Sequence, residues 1–110
     1  MSATLNGYQN DAMRCHDEGP VRLVSYALGL TGESGEVADL VKKHIGHGHP
    51  LDVDKLKLEL GDVLWYIAGL ANVLGFTLQE VADANTAKLM KRFPNGFTTE
   101  ASIARQDENV

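Results

Sequence analysis

Two stretches of this chain each carry a pair of acidic residues spaced three positions apart. The pairs are Glu33 with Glu36 in GESGEV, and Glu59 with Asp62 in ELGDVLWYI. On an α-helix, residues three apart lie about 60° apart on one face, so both carboxylates of a pair point in a similar direction. Two such helices packed together bring four carboxylates toward one point. The spacing therefore favours an all-α fold with an acidic cluster between helices.

Both acidic pairs fall within stretches whose apolar residues recur at helical spacing. Glu33 lies inside the first apolar stripe with Glu36 at its edge, and Glu59 and Asp62 lie within the second. The stripe residues are Tyr26, Leu30, Val37, Leu40 and Val41 in the first stretch, and Leu56, Val63, Tyr66, Ile67, Leu70, Val73 and Leu74 in the second. We therefore expect all four carboxylates to point into a core.

A buried carboxylate is unstable unless a positive charge lies next to it, and neighbouring carboxylates also repel one another. Mg²⁺ and Mn²⁺ prefer carboxylate and water oxygens, whereas Zn²⁺ usually recruits His or Cys, and no His or Cys shares these helix faces. The pattern predicts a site for Mg²⁺, or for Mn²⁺, formed by the four acids. The alternative is that the acids are half-exposed and pair with nearby lysines, which are Lys42, Lys43, Lys55 and Lys57.

Length and composition limit the class of protein further. A chain of 110 residues with 44% hydrophobic content is expected to form a single domain over 1–110. The net charge of -5 argues against binding to a nucleic acid polymer, which requires a basic face. A lone Cys15 excludes an internal disulfide, and the chain lacks both a signal-like start and the run of about 20 apolar residues that spans a membrane. These features predict a cytoplasmic protein.

Apolar periodicity and helix-breaking residues predict four helices, covering about 5–16, 20–45, 52–74 and 77–93. A polar tail from about 94 is expected to be extended against a neighbouring subunit or partly disordered. The third helix is apolar nearly all round, which favours a homodimer or homotetramer. In the second helix, Gly29, Gly32 and Gly35 form a smooth strip that another helix or a ligand can approach closely.

The loop between the two acidic helices contains three histidines, which are His44, His47 and His49. A zinc site is not favoured there because no fourth ligand of the usual type lies nearby. A contact between this loop and the phosphate or base of a ligand is the other interpretation.

On the fourth helix, Asn85, Lys88 and Arg92 are spaced three and four apart and share a face. They form either a solvated stripe, with cations near a helix C-terminus where they are favoured, or an amide and two cations for phosphate oxygens. The neighbouring carboxylate cluster favours the second interpretation.

Three segments together resemble the MazG-like nucleoside triphosphate pyrophosphohydrolases, an all-α family. The segments are GESGEVADLVKK, KLELGDVLWYIAGLANVLG and ANTAKLMKRFPNGF, and the similarity extends over about 28–97. The family pattern is EExxE followed, after a variable gap, by ExxD. Glu33, Glu36, Glu59 and Asp62 match the last two glutamates of the first half and both acids of the second, while Gly32 replaces the first glutamate.

The resemblance implies a four-helix bundle-like fold whose helices are completed by a dimer interface. It implies Mg²⁺-dependent hydrolysis of (deoxy)nucleoside triphosphates to monophosphate and pyrophosphate, with house-cleaning of the nucleotide pool as the role. The four acids would then hold the metal and act in catalysis, with Glu33 or Glu36 orienting the attacking water. The residues expected to bind the triphosphate are Lys55, Asn85, Lys88 and Arg92.

Two other functions compete with this one. A carboxylate-bridged di-iron bundle normally requires ExxH on two helices, and the sequence contains no ExxH. A non-catalytic helical dimer that binds nucleotides or a protein partner is the remaining alternative. Nucleotide binding without turnover would distinguish it.

Overall fold

The computed structural model describes residues 3–16 and 18–108. Over these residues the structure is helical, and the β pairing is limited to an isolated bridge between Pro94 and Gly96. The helices are α1 (Leu5–Ala12), α2 (Arg22–His47), α3 (Val53–Leu74), α4 (Leu78–Arg92) and α5 (Thr99–Ala104), with 3₁₀ turns at Met13–Cys15 and Gln106–Glu108. The expected all-α fold is confirmed.

Local residue chemistry explains where the two long helices begin and end. The Asp52 side chain accepts a hydrogen bond of 3.0 Å from the Lys55 backbone N–H and caps α3. Gly48 and Gly75 follow α2 and α3 with φ of 71° and 86°, the left-handed conformation that glycine adopts without strain. The first helix is shorter than expected because its last turn tightens into a 3₁₀ turn after Ala12.

The segment expected to be a polar extended tail contains a short helix instead. The Thr98 hydroxyl accepts a hydrogen bond from the Ala101 backbone N–H at 3.0 Å and starts α5. Arg105 ends this helix in the left-handed conformation, with φ of 49°. The periodicity of TEASIA is too short for a sequence pattern to distinguish a helix from an irregular tail.

The chain forms two compact units, Met1–Leu78 and Gln79–Val110. In the first unit α2 packs along α3, and α1 packs against α3. The second unit contains most of α4 together with α5. The expectation that the whole chain forms one domain stays a prediction.

An aromatic cluster of Tyr26, Trp65 and Tyr66 lies where α2 meets α3. The ring centroids are 5.4 Å apart for Tyr26 and Trp65 and 5.1 Å apart for Trp65 and Tyr66, both in edge-on arrangements. The Trp65 indole donates a hydrogen bond of 3.1 Å to the Ala12 carbonyl, which ties the end of α1 to α3. This cluster anchors all three helices of the first unit.

A buried glutamine also holds this unit together. Gln9 is 7% exposed, its amide N–H donates to the Phe76 carbonyl at 3.2 Å, and its amide oxygen accepts from the Leu78 N–H at 2.9 Å. The side chain therefore satisfies a backbone N–H at the start of α4 that has no partner within the helix. The sequence pattern places Gln9 among ordinary polar residues of α1 and does not predict this role.

Candidate metal centre

Two tyrosine–glycine contacts set the alignment of α2 and α3. A Cβ atom added to Gly29 would overlap the Tyr66 ring, and one added to Gly69 would lie 2.5 Å from Tyr26 Cε1. Each tyrosine ring therefore fits against the opposite helix because the facing residue is glycine, and the side chain of any larger residue there would collide with the ring. Of the glycine strip predicted in α2, Gly29 makes such a close approach, whereas Gly32 has no atom within 4 Å of an added Cβ.

This alignment brings the acids of the two helices together. The helices run antiparallel, so one turn beyond the Gly29–Tyr66 contact Glu33 of α2 lies level with Asp62 of α3. Single carboxylate oxygens from Glu33, Glu59 and Asp62 lie within 4.8 Å of one another. We call these three residues the acidic cluster. It contains three of the four acids that the sequence predicts as ligands.

Glu33 combines a buried carboxylate oxygen with neighbouring negative charges. Its Oε2 atom is buried and has no hydrogen-bond partner among the described residues. The adjacent Glu59 carboxyl raises the pKa of Glu33 above its usual value, because a proton shared between the two groups would form a hydrogen bond. Burial and the negative charges of Asp62, Glu59 and Glu36 also raise this pKa. A cation placed here would relieve both the repulsion and the unsatisfied oxygen.

The expectation that all four carboxylates point into a core needs correction. Glu33 and Glu59 are half-buried, but Asp62 and Glu36 are exposed. Glu36 also lies outside the acidic cluster. Helical periodicity shows which face of a helix is apolar, but it does not show whether a residue on that face lies at the centre of the helix interface or at its rim. Glu36 and Asp62 lie at the rim.

The nearby lysines do not neutralise the acidic cluster. Among the ion pairs between described residues, none involves Glu33, Glu59 or Asp62. Lys43 pairs instead with Asp39, one turn earlier on α2, at 2.8 Å. The alternative in which surface lysines pair with these carboxylates is therefore not favoured by the structure.

A tyrosine from α1 contributes to the surroundings of the cluster. Burial raises the pKa of the half-buried Tyr8 hydroxyl, and the negative charge of Asp62 raises it further. Tyr8 is therefore near enough to Asp62 to be influenced by its charge. The sequence pattern does not single out Tyr8, because a tyrosine at an apolar position of an amphipathic helix is usually a core residue.

A comparison with protein families identifies the fold around this cluster. The family described as "MazG nucleotide pyrophosphohydrolase domain" matches residues 22–97, which include all of α2, α3 and α4. The chain belongs to the MazG family. The four acids and the aromatic cluster all lie within the matched region. The helix pair that positions the acidic cluster is thus part of the MazG domain itself.

A relative from Mycobacterium phage L5, "Gene 37 protein", is 42% identical over 73 residues. The match covers 63% of this chain and 64% of the phage protein, so it spans less than two thirds of that relative's length. No solved structure matches the chain significantly. Among the described residues, no single helix is both long and apolar enough to cross a membrane.

The residues expected to bind phosphate occupy different settings in this MazG domain. The side chains of Lys55, Asn85 and Lys88 are exposed. Arg92 is half-buried and forms an ion pair with Asp107, through Nε at 2.5 Å and Nη2 at 2.8 Å. Asp107 lies beyond the region matched by the family, and the sequence pattern gives it no role.

Two other features lie away from the acids. A cavity of about 440 Å³ between α1 and the end of α3 is lined by Gln9, Asn10, Met13, Arg14, Asn72, Gly75, Phe76 and Thr77. None of the four acids lines it. Two of the three histidines expected in the loop, His44 and His47, lie in the last turn of α2 instead. His44 Nδ1 lies 2.8 Å from the carbonyl of His49, which follows that helix. The donor atoms of the three histidines do not converge as the acidic cluster does.

Proposed function

We propose that this protein hydrolyses (deoxy)nucleoside triphosphates to nucleoside monophosphate and pyrophosphate, with Mg²⁺ or Mn²⁺ as cofactor. Membership of the MazG nucleotide pyrophosphohydrolase family supports the reaction class. The observation that carries the proposal is the acidic cluster, in which Glu33 has a buried, unpartnered oxygen and no cationic side chain among the described residues is paired with the three carboxylates. A counter-charge would stabilise such a group.

Residues of both long helices would hold the cation. Glu33, Glu59 and Asp62 offer converging carboxylate oxygens, the ligands that hard divalent cations prefer. Glu36, one turn after Glu33, is proposed as the fourth carboxylate. When bound, the cation lowers the pKa of a coordinated water and offsets the charge of the phosphates.

The chain's own carboxylates would also orient the attacking water. Glu33 or Glu36 accepts a hydrogen bond from the water and takes up its proton as the reaction proceeds. The water oxygen forms a bond to the α-phosphorus while the bond from that phosphorus to the bridging oxygen breaks, and pyrophosphate leaves. Lys55, Asn85, Lys88 and Arg92 are proposed to bind the phosphates and to offset the charge of the leaving group. The role inferred from the family is house-cleaning of the nucleotide pool in the cytoplasm.

We also propose that the protein acts as a homodimer or homotetramer. Val24 and Leu28 on α2 and Leu58 on α3 are 56%, 67% and 72% exposed. Apolar side chains exposed on both helices of the central pair favour burial against a second copy. Size-exclusion chromatography with light scattering tests this directly, and a monomer at working concentration would contradict it.

The test of the proposed reaction is pyrophosphate release from a panel of ribo- and deoxyribonucleoside triphosphates. Each substrate is assayed with Mg²⁺, with Mn²⁺ and with chelator, for the wild type and for Glu59→Gln. We expect metal-dependent formation of monophosphate and pyrophosphate that the variant loses. If a folded Glu59→Gln protein keeps full Mg²⁺-dependent turnover, the assignment of the metal site is wrong.

Two further outcomes would change the proposed function. Release of inorganic phosphate in place of pyrophosphate would mean that water attacks a different phosphorus. Nucleotide binding with no turnover under any metal would support the alternative of a non-catalytic helical protein that binds nucleotides. The same panel ranks the bases and sugars.

A further inference from the structure

The guanidinium of Arg92, the residue proposed to bind phosphate, is paired with a carboxylate. Asp107 accepts hydrogen bonds from Arg92 Nε and Nη2 at 2.5 Å and 2.8 Å, and Glu108 lies 3.7 Å from Nη2. The Asp107 side chain is 4% exposed and that of Arg92 is 17% exposed. This two-point contact is the same geometry by which arginine binds a phosphate group.

The segment that carries Asp107 has little apolar attachment. In residues 98–108 the large apolar side chain is Ile103, which is 77% exposed. Phe97, just before the segment, is 74% exposed, and its ring centroid lies 5.3 Å from that of Phe93. Over the described residues 79–108 no apolar side chain is fully buried. The pairing of Arg92 with Asp107 and Glu108 is therefore a principal tie between this segment and α4. Because this contact is ionic, another anion can replace the carboxylates at Arg92.

Lys88 adds to the positive charge that Asp107 meets. It lies one turn before Arg92 on α4, and its charge helps to hold the pKa of Asp107 below the usual value, after the larger effect of the Arg92 hydrogen bond. Asp107 is thus ionised at neutral pH. The Lys88–Arg92 face accordingly already binds an anion, which is supplied by the protein's own chain.

We propose that residues 98–108 form a releasable latch, in which Asp107 occupies Arg92 until the phosphate chain of a nucleotide displaces it. The proposal rests on the proposed function, in which Arg92 binds phosphate. The exchange leaves neither partner as an isolated buried charge, because Arg92 gains a phosphate oxygen and Asp107 moves into water. The latch lowers the affinity of the protein for phosphate chains that bind Arg92.

The test uses inorganic tripolyphosphate with Mg²⁺ as the probe, and isothermal titration calorimetry on the full chain. Asp107→Asn keeps the shape of the side chain and removes its charge. A latch closed in about nine of ten molecules lowers apparent affinity about tenfold, so we expect Asp107→Asn to bind the probe up to about tenfold more tightly than wild type. Glu100→Gln, an exposed acid of the same segment, is the matched control for the loss of one negative charge and should change binding less than about twofold.

A second variant ties the gain to Arg92. In the double variant Arg92→Ala/Asp107→Asn, the tighter tripolyphosphate binding should disappear, because the Arg92 guanidinium that the latch covers is gone. The latch is refuted if Asp107→Asn binds no better than Glu100→Gln, or if the gain persists without Arg92. Should Asp107→Asn fail to fold, backbone amide NMR of the wild type decides. The resonances of 98–108 must shift when tripolyphosphate is added, and unchanged resonances overturn the proposal.

Failure of the latch and failure of the proposed function are distinguishable, because the probe is bound and not hydrolysed as a nucleotide. Nucleotide turnover with unchanged tripolyphosphate binding in Asp107→Asn would leave the function standing and remove the latch. Tighter tripolyphosphate binding by Asp107→Asn, in a protein that turns over no nucleotide, would support the latch and contradict the proposed function.

Discussion

Carboxylates in two regions of this protein experience opposite surroundings. Asp107 faces Arg92, which lowers its pKa and satisfies both of its oxygens. Glu33 faces other acids, which raise its pKa, and its buried Oε2 has no partner among the described residues. Asp107 has a cationic partner, so its position is accounted for as a structural contact. Glu33 is half-buried beside further acids, and a bound cation is the simplest group that would stabilise it.

The comparison separates structural acids from proposed functional ones better than spacing does. Asp39, with Lys43 at 2.8 Å, belongs with Asp107, since its pKa is lowered mainly by that lysine. Glu80 and Asp83 repeat the ExxD spacing of the cluster, but they lie outside any group of converging ligand atoms in the described structure. Convergence without a counter-charge is therefore the property that marks Glu33, Glu59 and Asp62.

The largest expected effect is on turnover when a member of the acidic cluster is neutralised. Glu59→Gln should reduce Mg²⁺-dependent pyrophosphate release at least about a hundredfold, because even residues that only support metal ligands are worth about 10- to 100-fold. Asp83→Asn is the control with the same ExxD spacing and should keep nearly full activity. Steady-state kinetics at saturating substrate measures the difference. Equal losses in the two variants would remove the distinction between the two kinds of acid.

Glu36 tests the edge of the cluster in the same assay. It is exposed and lies outside the three converging acids, yet it is proposed as the fourth ligand. We expect Glu36→Gln to lose activity, but less than Glu59→Gln. A loss as large as that of Glu59→Gln would mean that Glu36 moves inward when the cation binds.

The next effect concerns the contact that aligns the two acidic helices. Gly29→Ala places a methyl group where the Tyr66 ring lies, so it should lower the free energy of unfolding by about 1–3 kcal/mol. Gly32→Ala, one turn along the same helix in open space, should raise it by up to about 1 kcal/mol through helix propensity. Urea unfolding curves of both variants give the comparison. Similar effects at both positions would show that the tyrosine–glycine contact does not set the alignment.

A smaller effect is expected from the raised pKa of Glu33. Without metal, the stability associated with protonated Glu33 is present at low pH and is lost as pH rises through its raised pKa. The melting temperature in chelator should therefore fall over this window, and saturating Mg²⁺ should restore it by about 5 °C or more at neutral pH. Differential scanning fluorimetry across pH measures both. Glu33→Gln should show neither the fall nor the restoration. If its pH profile instead matches that of the wild type, the effect belongs to another group.

The sequence predicts the helices and the acidic pairs well, because both depend on local spacing. Asp52, which caps α3, and Gly75, which follows its last residue, both act through local residue chemistry. Three interactions escape sequence patterns because they join residues that no single helix contains. Gln9 accepts a hydrogen bond from the Leu78 N–H, the charge of Asp62 raises the pKa of Tyr8, and Arg92 pairs with Asp107.

The burial of individual acids is harder to predict than their grouping. Helical periodicity assigns Asp62 and Glu36 to the same faces as Glu59 and Glu33, but it does not give the distance of each side chain from the interface axis. That distance depends on how the two helices pack against each other, as at the contact of Tyr66 with Gly29. No pattern within one helix contains that information.

The smallest expected effect is on the acid stability of the latch. Asp107 has a lowered pKa, so the stability it contributes is present above the usual aspartate range and is lost as pH falls through its folded pKa. Wild type should therefore be more stable than Asp107→Asn at neutral pH, and the difference should vanish in acid. This difference in stability is measured by thermal melts between neutral and acid pH, monitored by far-ultraviolet circular dichroism. Glu100→Gln should follow the wild type throughout, and a gap that persists in acid would mean that the Asp107 side chain stabilises the segment by its shape and not by its charge.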